Sequence, residues 1–375
     1  MKKITLTFSI TLILVVTLST GCSTFGELPS GEHLLTIQKS PNYSHEREEF
    51  VNRKVDAIDA MKERASIPAL IKNLFSGNEE QTPDQKLPEK IPDIEAFIAS
   101  KKGAKVIWFG HSTFLLNLDG TTILVDPVFS QAASPFSFLI KRFQPPVIPL
   151  TDLPRVDFIL ISHDHYDHLD MKTVQFFKDK NSLFVTPLGV GSHLKAWGIA
   201  EHRIVEKDWW ESHSEEGITF ISTPAQHFSG RNGIDENQTL WSSWIIQKAQ
   251  HNLYFSGDSG YDTHFATIGD KYGPFDVAFL ENGQYDPLWR EVHLLPEQTV
   301  QASRDLQARK LFPIHWGMFD LSTHSWNEPI TELINASKGD VDLIIPKFGE
   351  VVDLQQDYVL ESWWQKAGQL FSSTE

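Results

Sequence analysis

Apolar and polar positions change character along this chain at Lys105. Before it, from Ser23 to about Lys102, apolar residues follow no sustained period. There Ser30-Gly31, Pro41-Asn42 and the Glu-, Gln- and Pro-bearing stretch 77–92 read as loop or linker. One or two helices are expected between Glu46 and Phe75. From Lys105 onward, short apolar runs recur, each closed by polar or turn residues, as in strands buried within a sheet. The runs predict strands at Val106–Phe109, Thr113–Asn117, Thr122–Val125, Asp157–Ser162 and Ile218–Ser222. More are expected at Leu240–Gln247, Leu253–Ser256, Val277–Leu280, Lys310–Pro313 and Leu343–Pro346. Asp119-Gly120 is a hairpin signal between the second and third. Helical spacing appears at Met171–Lys180, Val190–Trp197, Tyr261–Tyr272, Pro296–Ala308 and Pro329–Ser337. Hairpins first, then strands alternating with helices, predict an α/β (α+β) fold with two sheets face to face and helices outside. Tyr358–Trp364 fits a closing helix or strand equally.

The N-terminus adds a different signal. Met1-Lys2-Lys3 precedes an apolar run from Ile4 to Leu18 and then Ser19-Thr-Gly-Cys22. A basic start, a short apolar stretch and small residues predict a secretory leader, too short for a comfortable membrane span. The residues ending at Gly21 resemble the lipobox of bacterial lipoproteins, with Ser19 where Leu is more usual. Cys22 is the only cysteine, so no disulfide forms within the chain, and it is expected to be the lipid attachment point. Ser23 after it resembles the pattern sent on to an outer membrane. The expected division is leader 1–21, extension 22–102 and catalytic domain 103–375. The extension is expected to space the body from the membrane or to wrap it. The product would be exported and lipid-anchored in the cell envelope, facing the periplasm. Acidic side chains outnumber basic ones by 49 to 33, a formal charge of −16, which argues against nucleic acid as a partner.

Candidate chemistry concentrates in His163-Asp-His165-Tyr-Asp167-His168, directly after the apolar run ending at Ser162. His163 and His165 can grip one ion, and Asp167 with His168 a second. Imidazole and carboxylate donors suit zinc, although iron or manganese can occupy such a set. Two ions need more ligands than one loop supplies. His227, Asp258 and His315 each stand where an apolar strand gives way to a polar loop, a usual place for function. Two cations roughly 3.5–4 Å apart can share a hydroxide and clamp an attacked phosphoryl or carbonyl group.

The loop together with His227, Gly257-Asp258 and His315 resembles the metallo-β-lactamase superfamily. Trp108-Phe-Gly-His111-Ser-Thr, Pro224-Ala-Gln-His227, Phe255-Ser-Gly-Asp258-Ser-Gly-Tyr261, His293-Leu-Leu-Pro-Glu297 and Ile314-His315-Trp-Gly317 resemble one branch of it more closely. That branch contains the N-acyl-phosphatidylethanolamine-hydrolysing phospholipase D and its bacterial relatives. The resemblance runs from about Lys105 to Phe348. It implies a four-layer αββα sandwich with two zinc ions at one edge. It assigns His163, His165 and His227 to one ion and Asp167, His168 and His315 to the other, with Asp258 bridging. Asp167 is expected to serve catalysis as well as metal binding.

Several further residues are candidates. By resemblance His293 contacts substrate near the metals, as an acid or as a partner of a phosphate oxygen; alternatively it makes a local hydrogen bond at the helix start beside Leu294-Leu-Pro296. His111 is expected to brace a ligand by a hydrogen bond rather than bind metal, and Asp126 to orient a ligand imidazole. The stretch Val128–Phe143 reads either as a flap that receives acyl chains or touches lipid, or as a loop packed on the core. Lys141 and Arg142 in it are candidates for phosphate head groups. Trp209-Trp210 and Trp241-Ser-Ser-Trp244 line the same groove or belong to the core.

The resulting expectation is a lipid-anchored di-zinc hydrolase of a phosphodiester such as an N-acylated phospholipid. A carbonyl substrate such as a lactone, thioester or β-lactam is the alternative. A non-catalytic envelope binding protein is a third reading. The lack of any other cysteine removes the thiolate ligand of one lactam-hydrolysing subclass. Oligomeric state is left open by the sequence.

Overall fold

The computed structural model describes residues 24–66, 68–69 and 80–368. The expected leader and Cys22 lie outside the described residues. The described chain opens with α1 (Gly31–Ile37), the short strands β1 (Tyr43–Ser44) and β2 (Glu49–Phe50), α2 (Ala57–Arg64) and α3 (Ile94–Ala99). Next come β3 (Ala104–Trp108), β4 (Phe114–Leu118), β5 (Thr121–Val125), β6 (Phe158–Leu160), α4 (Met171–Phe176), β7 (Leu183–Pro187), α5 (Gly191–Ala196) and β8 (Ile204–Lys207). The second half carries β9 (Ser212–Glu215), β10 (Ile218–Thr223), β11 (Ser243–Lys248), β12 (His251–Phe255), α6 (His264–Tyr272), β13 (Val277–Glu281), α7 (Pro296–Asp305) and β14 (Lys310–Ile314). It closes with α8 (Glu328–Ser337), β15 (Asp342–Leu343), β16 (Val351–Asp353) and α9 (Trp363–Gly368).

Two seven-stranded sheets result, in the orders β16-β3-β4-β5-β6-β7-β8 and β15-β14-β13-β12-β11-β10-β9. Strand parity explains the layering. Val106, Trp108, Phe114, Leu116, Ile123, Val125, Phe158 and Leu160 point from the first sheet into the shared core. Their neighbours Ile107, Leu115, Leu124 and Ile159 point the other way, onto Phe97 of α3, Val174 of α4 and Leu194 of α5. Phe265 of α6, Val300 of α7 and Ile330 of α8 join the core beside the second sheet. This is the expected αββα sandwich.

The hairpin at Asp119-Gly120 forms as its turn chemistry predicts, with Leu118 opposite Thr121. Strands β1, β2, β7, β8, β9 and β16 carry no strand expectation from the sequence, and β2 falls where a helix is expected. Ile204-Val-Glu-Lys and Ser212-His-Ser-Glu are polar strands at or beside the sheet edges, where alternation is weak and charge guards against stray pairing. The helix expected over Met171–Lys180 stops at Phe176, and the strand expected at Leu240–Gln247 begins only at Ser243. Only Asp342–Leu343 pairs where Leu343–Pro346 is expected as a strand, and the closing segment resolves into a helix from Trp363.

The extension lies on the body. His33 Nε2 meets Glu206 Oε2 at 2.5 Å, Asn42 Nδ2 donates to Asp208 Oδ1 at 2.7 Å, and Arg64 pairs with Glu291 at 2.5 Å. No helix among the described residues is long and apolar enough to cross a membrane.

Phe114 and Phe279 stack across the two sheets, with centroids 4.5 Å apart and planes 11° from parallel. Both are fully buried. Phe114→Ala is expected to cost about 3–5 kcal/mol through lost contact and the cavity left behind. A denaturant titration reads this directly; a cost below about 1 kcal/mol would show that the sheets do not depend on this contact.

Candidate metal centre

The metal loop leaves β6 at the sheet edge, and the three other strand-end residues arrive beside it. His163 Nε2 lies 2.9 Å from His165 Nδ1, which lies 3.2 Å from His227 Nε2. Asp167 Oδ2 lies 3.3 Å from both His168 Nε2 and His315 Nε2. Asp258 Oδ2 lies 3.1 Å from His168 Nε2 and His315 Nε2, and 3.8 and 3.7 Å from the Nε2 atoms of His163 and His227. One carboxylate therefore stands between two donor sets.

The spacing fits a metal. Tetrahedral ligand atoms bound at about 2.0–2.1 Å are roughly 3.3 Å apart. The nitrogens of His163, His165 and His227 converge at this range, as ligand atoms around one cation do. His168 Nε2 and Asp258 Oδ1 are buried without a hydrogen-bond partner, and such orphans are expected where a cation completes the set.

Outer contacts aim the rings. His168 Nδ1 donates to Asp126 Oδ2 at 2.6 Å, while Ser162 N donates to Asp126 Oδ1 at 2.7 Å. Asp126 thus turns His168 Nε2 toward the cluster. His227 Nδ1 donates to the Val292 carbonyl at 3.0 Å. His111 Nε2 lies 2.8 Å from Asp167 Oδ2 and belongs to the same buried group as Asp167, His168 and His315. Burial, reinforced by His315 alongside, lowers the His111 pKa to about 3 against the pull of Asp167, so this ring is neutral. His293 sits at the centre, its ring stacked on His315 at 5.3 Å and its Nδ1 3.2 Å from Glu281 Oε1.

Local backbone shape matters here. His111, Asp126 and His315 all adopt positive φ, at 53°, 36° and 67°. Such conformations disfavour branched or bulky side chains and persist only when the surroundings over-determine them. His111 N donates to the Trp316 carbonyl and His315 N to the His111 carbonyl, both at 3.0 Å. Gly283 lets the end of β13 approach: a Cβ there would fall 1.5 Å from the His315 carbonyl oxygen.

Four braces escape the sequence reading. Asn52, in the extension, donates from Nδ2 to the His227 carbonyl at 2.7 Å and accepts from His227 N at 3.1 Å. Glu281 is fully buried beneath His293 and His315 and accepts from Leu294 N at 2.9 Å. Asp164, inside the metal loop, accepts from Gly230 N and Thr239 Oγ1, each at 2.8 Å, with His193 Nε2 at 3.2 Å. Burial raises its proton affinity, but His193 and the Gly230 amide hold its carboxyl well below the usual range. Arg231 is the fourth, donating from Nη1 to the Asp164 and Leu169 carbonyls. Only the position of Asp164 inside the His-rich loop signals its brace.

The cluster opens into a cleft of ≈ 350 Å³ whose apolar wall includes Met61, Phe228, Trp289, Val292 and Leu321. Met61 comes from α2, so the extension builds part of the wall. Trp209, Trp241 and Trp244 are core residues, with Trp209 Nε1 donating to the Trp241 carbonyl, and none lines the cleft. Arg142 is buried as well, donating to the Val128 carbonyl at 2.8 Å over the Phe319 ring, which removes it as a head-group contact.

Two imidazole–carboxylate sets sharing one buried carboxylate, at the edge of an αββα sandwich, define a metal-dependent hydrolase of the metallo-β-lactamase superfamily. The family described as "Beta-lactamase superfamily domain" matches residues 121–316, and the chain belongs to it. An uncharacterised protein of Mycobacterium tuberculosis is 39% identical over 334 residues, 88% of each chain. N-acyl-phosphatidylethanolamine-hydrolyzing phospholipase D 1 of Caenorhabditis elegans is 36% identical over 272 residues, 67% of this chain and 76% of that one. Outer membrane protein RomA of Klebsiella pneumoniae is 49% identical over 104 residues, 28% of this chain and 78% of that one. A possible metal-dependent hydrolase from Veillonella parvula shares the fold at TM-score 0.55 and 16% identity, over 67% of this chain and 99% of that one.

Asn52→Ala removes both bonds to the His227 backbone. Metal affinity is expected to fall about 10–100-fold while the chain stays folded. Competition with a chelating indicator measures it, and an unchanged affinity in a folded variant would strip Asn52 of this role.

Proposed function

We propose that the chain is a lipid-anchored di-zinc phosphodiesterase of phospholipase D type, acting on N-acyl-phosphatidylethanolamine-like lipids. The observation that carries the metal reading is Asp258 Oδ2, held within 3.1–3.8 Å of four imidazole nitrogens from both donor sets. His163, His165 and His227 would hold one ion, Asp167, His168 and His315 the other, and Asp258 both. Bound there, a pair of divalent cations supplies an activated water and stabilises charge on the attacked group.

The remaining tasks fall to side chains. The apolar wall from Met61 to Leu321 suits acyl chains and lowers the local dielectric around the reacting group. Glu281 accepts from His293 Nδ1, leaving the other ring nitrogen to meet a phosphate oxygen or to protonate the departing alcohol. His111 and Asp126 fix Asp167 and His168, so no reorganisation is needed when charge develops. Hydrolysis on the head-group side of phosphorus yields phosphatidic acid and an N-acylethanolamine. The name of the Caenorhabditis elegans relative supports this substrate class. Envelope placement draws support from the name of the Klebsiella pneumoniae relative and from the lipobox-like residues before Cys22.

The first test is release of phosphatidic acid from N-acyl-phosphatidylethanolamine, with zinc and again after chelation. Activity abolished by chelation and restored by metal is expected; no product in either case removes the substrate, and a panel of lactones, thioesters and β-lactams then decides the reaction. Asp258→Asn is expected to bring bound metal from about two ions per chain to one or fewer. Full occupancy with unchanged turnover would contradict its shared position. His293→Gln is expected to lower kcat about 10²-fold at unchanged metal content, and loss of metal instead would make it a structural residue.

A further inference from the structure

Residues 127–151 contain no Asp or Glu, in a chain where acids outnumber bases 49 to 33. Within this stretch a loop turns its apolar side chains to water: Phe136 is 45% exposed, Phe138 68% and Leu139 46%. The two phenyl rings stack on each other at 5.8 Å. This loop is built rather than slack. Ala132 pairs with Lys141 and Arg142 with Phe319 in β-bridges, while Ala133 N donates to the Ile140 carbonyl at 3.0 Å. Buried Arg142 ties its base down over Phe319, whose ring also meets His111 at 5.2 Å. A braced projection ending in large exposed apolar groups marks an interaction site.

The start of the described chain says what covers it. Thr24 lines one cavity together with Ser134, Pro135, Ser137 and Lys172. Arg231 fixes Thr24 there, donating to its carbonyl from Nη2 at 2.9 Å and Nε at 3.2 Å. The guanidinium is itself buried, 3.9 Å above the Tyr166 ring and 5.0 Å from Trp197. Two extended residues span about 7 Å at most, so Cys22 cannot lie farther than that from Thr24. A lipid on Cys22 would therefore bring the bilayer against the loop, and Lys141 and Lys172, both exposed, flank the contact. Cations at that level offset the repulsion between an acidic protein and anionic lipid.

We propose that the loop 134–141 is a membrane wedge, with Phe136, Phe138 and Leu139 entering the same leaflet that holds the lipid at Cys22. This rests on the lipid-anchor reading above. The anchor and wedge together would orient the body, since Phe319 at the wedge base lies two residues before Leu321 of the metal cleft.

The test uses the processed protein in vesicles of phosphatidylethanolamine and phosphatidylglycerol. With Cys22 acylated, Phe138→Cys provides a single thiol for a polarity-sensitive fluorophore. Lipids brominated near the top of the acyl chain are expected to quench it about threefold or more over a label at Val359→Cys, a site 82% exposed. Equal quenching at both positions overturns the wedge. The mass of the N-terminal peptide reports the anchor separately. If Cys22 carries no acyl chain, flotation of the unchanged chain against Phe136→Ser/Phe138→Ser decides. A loss of about tenfold keeps the wedge without the anchor, and equal flotation ends it.

Discussion

Mutual repulsion among the donors of one buried cluster governs the rest of this structure. Asp167 and Asp258 bring two carboxylates into a dry edge of the sandwich, at a cost of several kcal/mol per charge unless positive charge lies between them. Five imidazoles crowd the same space, and burial opposes charging any of them. Even so, Asp258 and Asp167 hold His168 and His315 well above the ordinary imidazole range. His163 and His227, farther from the carboxylates and closer to other rings, go well below it. The arrangement can hold cations, and metal uptake at His168 and His315 would be tied to proton release. Divalent ions would satisfy both sets at once, with Asp258 between them.

Holding such donors in place takes a scaffold that resists relaxation. The rings are aimed from behind by Asp126 after β5, by Glu281 at the end of β13 and by the Val292 carbonyl in the loop before α7. Left-handed backbone at His111, Asp126 and His315 shows where the chain bends against its own preference to make those contacts. The double hydrogen bond between residue 111 and residues 315–316 ties the two sheets together at the site. Packing of Trp108 against Trp316 and Phe348, at 5.3 and 4.8 Å, backs the same corner with rigid aromatic mass. Stability and preorganisation thus come from one set of contacts.

How far the sequence discloses this differs by kind of signal. His163, His165, Asp167 and His168 are legible because four donors in six residues have no use in an apolar strand. His227, Asp258 and His315 are legible because each ends an apolar run. Asn52 is not: an isolated Asn in an irregular segment looks like any turn residue, and only the fold sets it against the His227 backbone. Glu281 reads as the polar end of a strand, with nothing to show that it lies under two imidazoles. Arg142 and Lys141 look alike as adjacent bases, yet one is buried over Phe319 and the other faces water. The strands β8 and β9 escape because edge strands are polar by necessity, so the apolar run that betrays β4 or β12 is missing.

The extension illustrates the general reason for those misses. Its composition is that of a linker, because it contributes single contacts and no periodic face of its own. Those contacts nevertheless reach the chemistry. Asn52 clamps His227, Met61 walls the cleft, and the Thr24 carbonyl caps an arginine that also holds the metal loop at Asp164 and Leu169. Tolerance to truncation depends on the burial and bonding of the backbone removed, not on its place in the sequence. By that criterion the segment from Thr24 to Arg64 belongs to the enzyme body, as packed protein rather than tether.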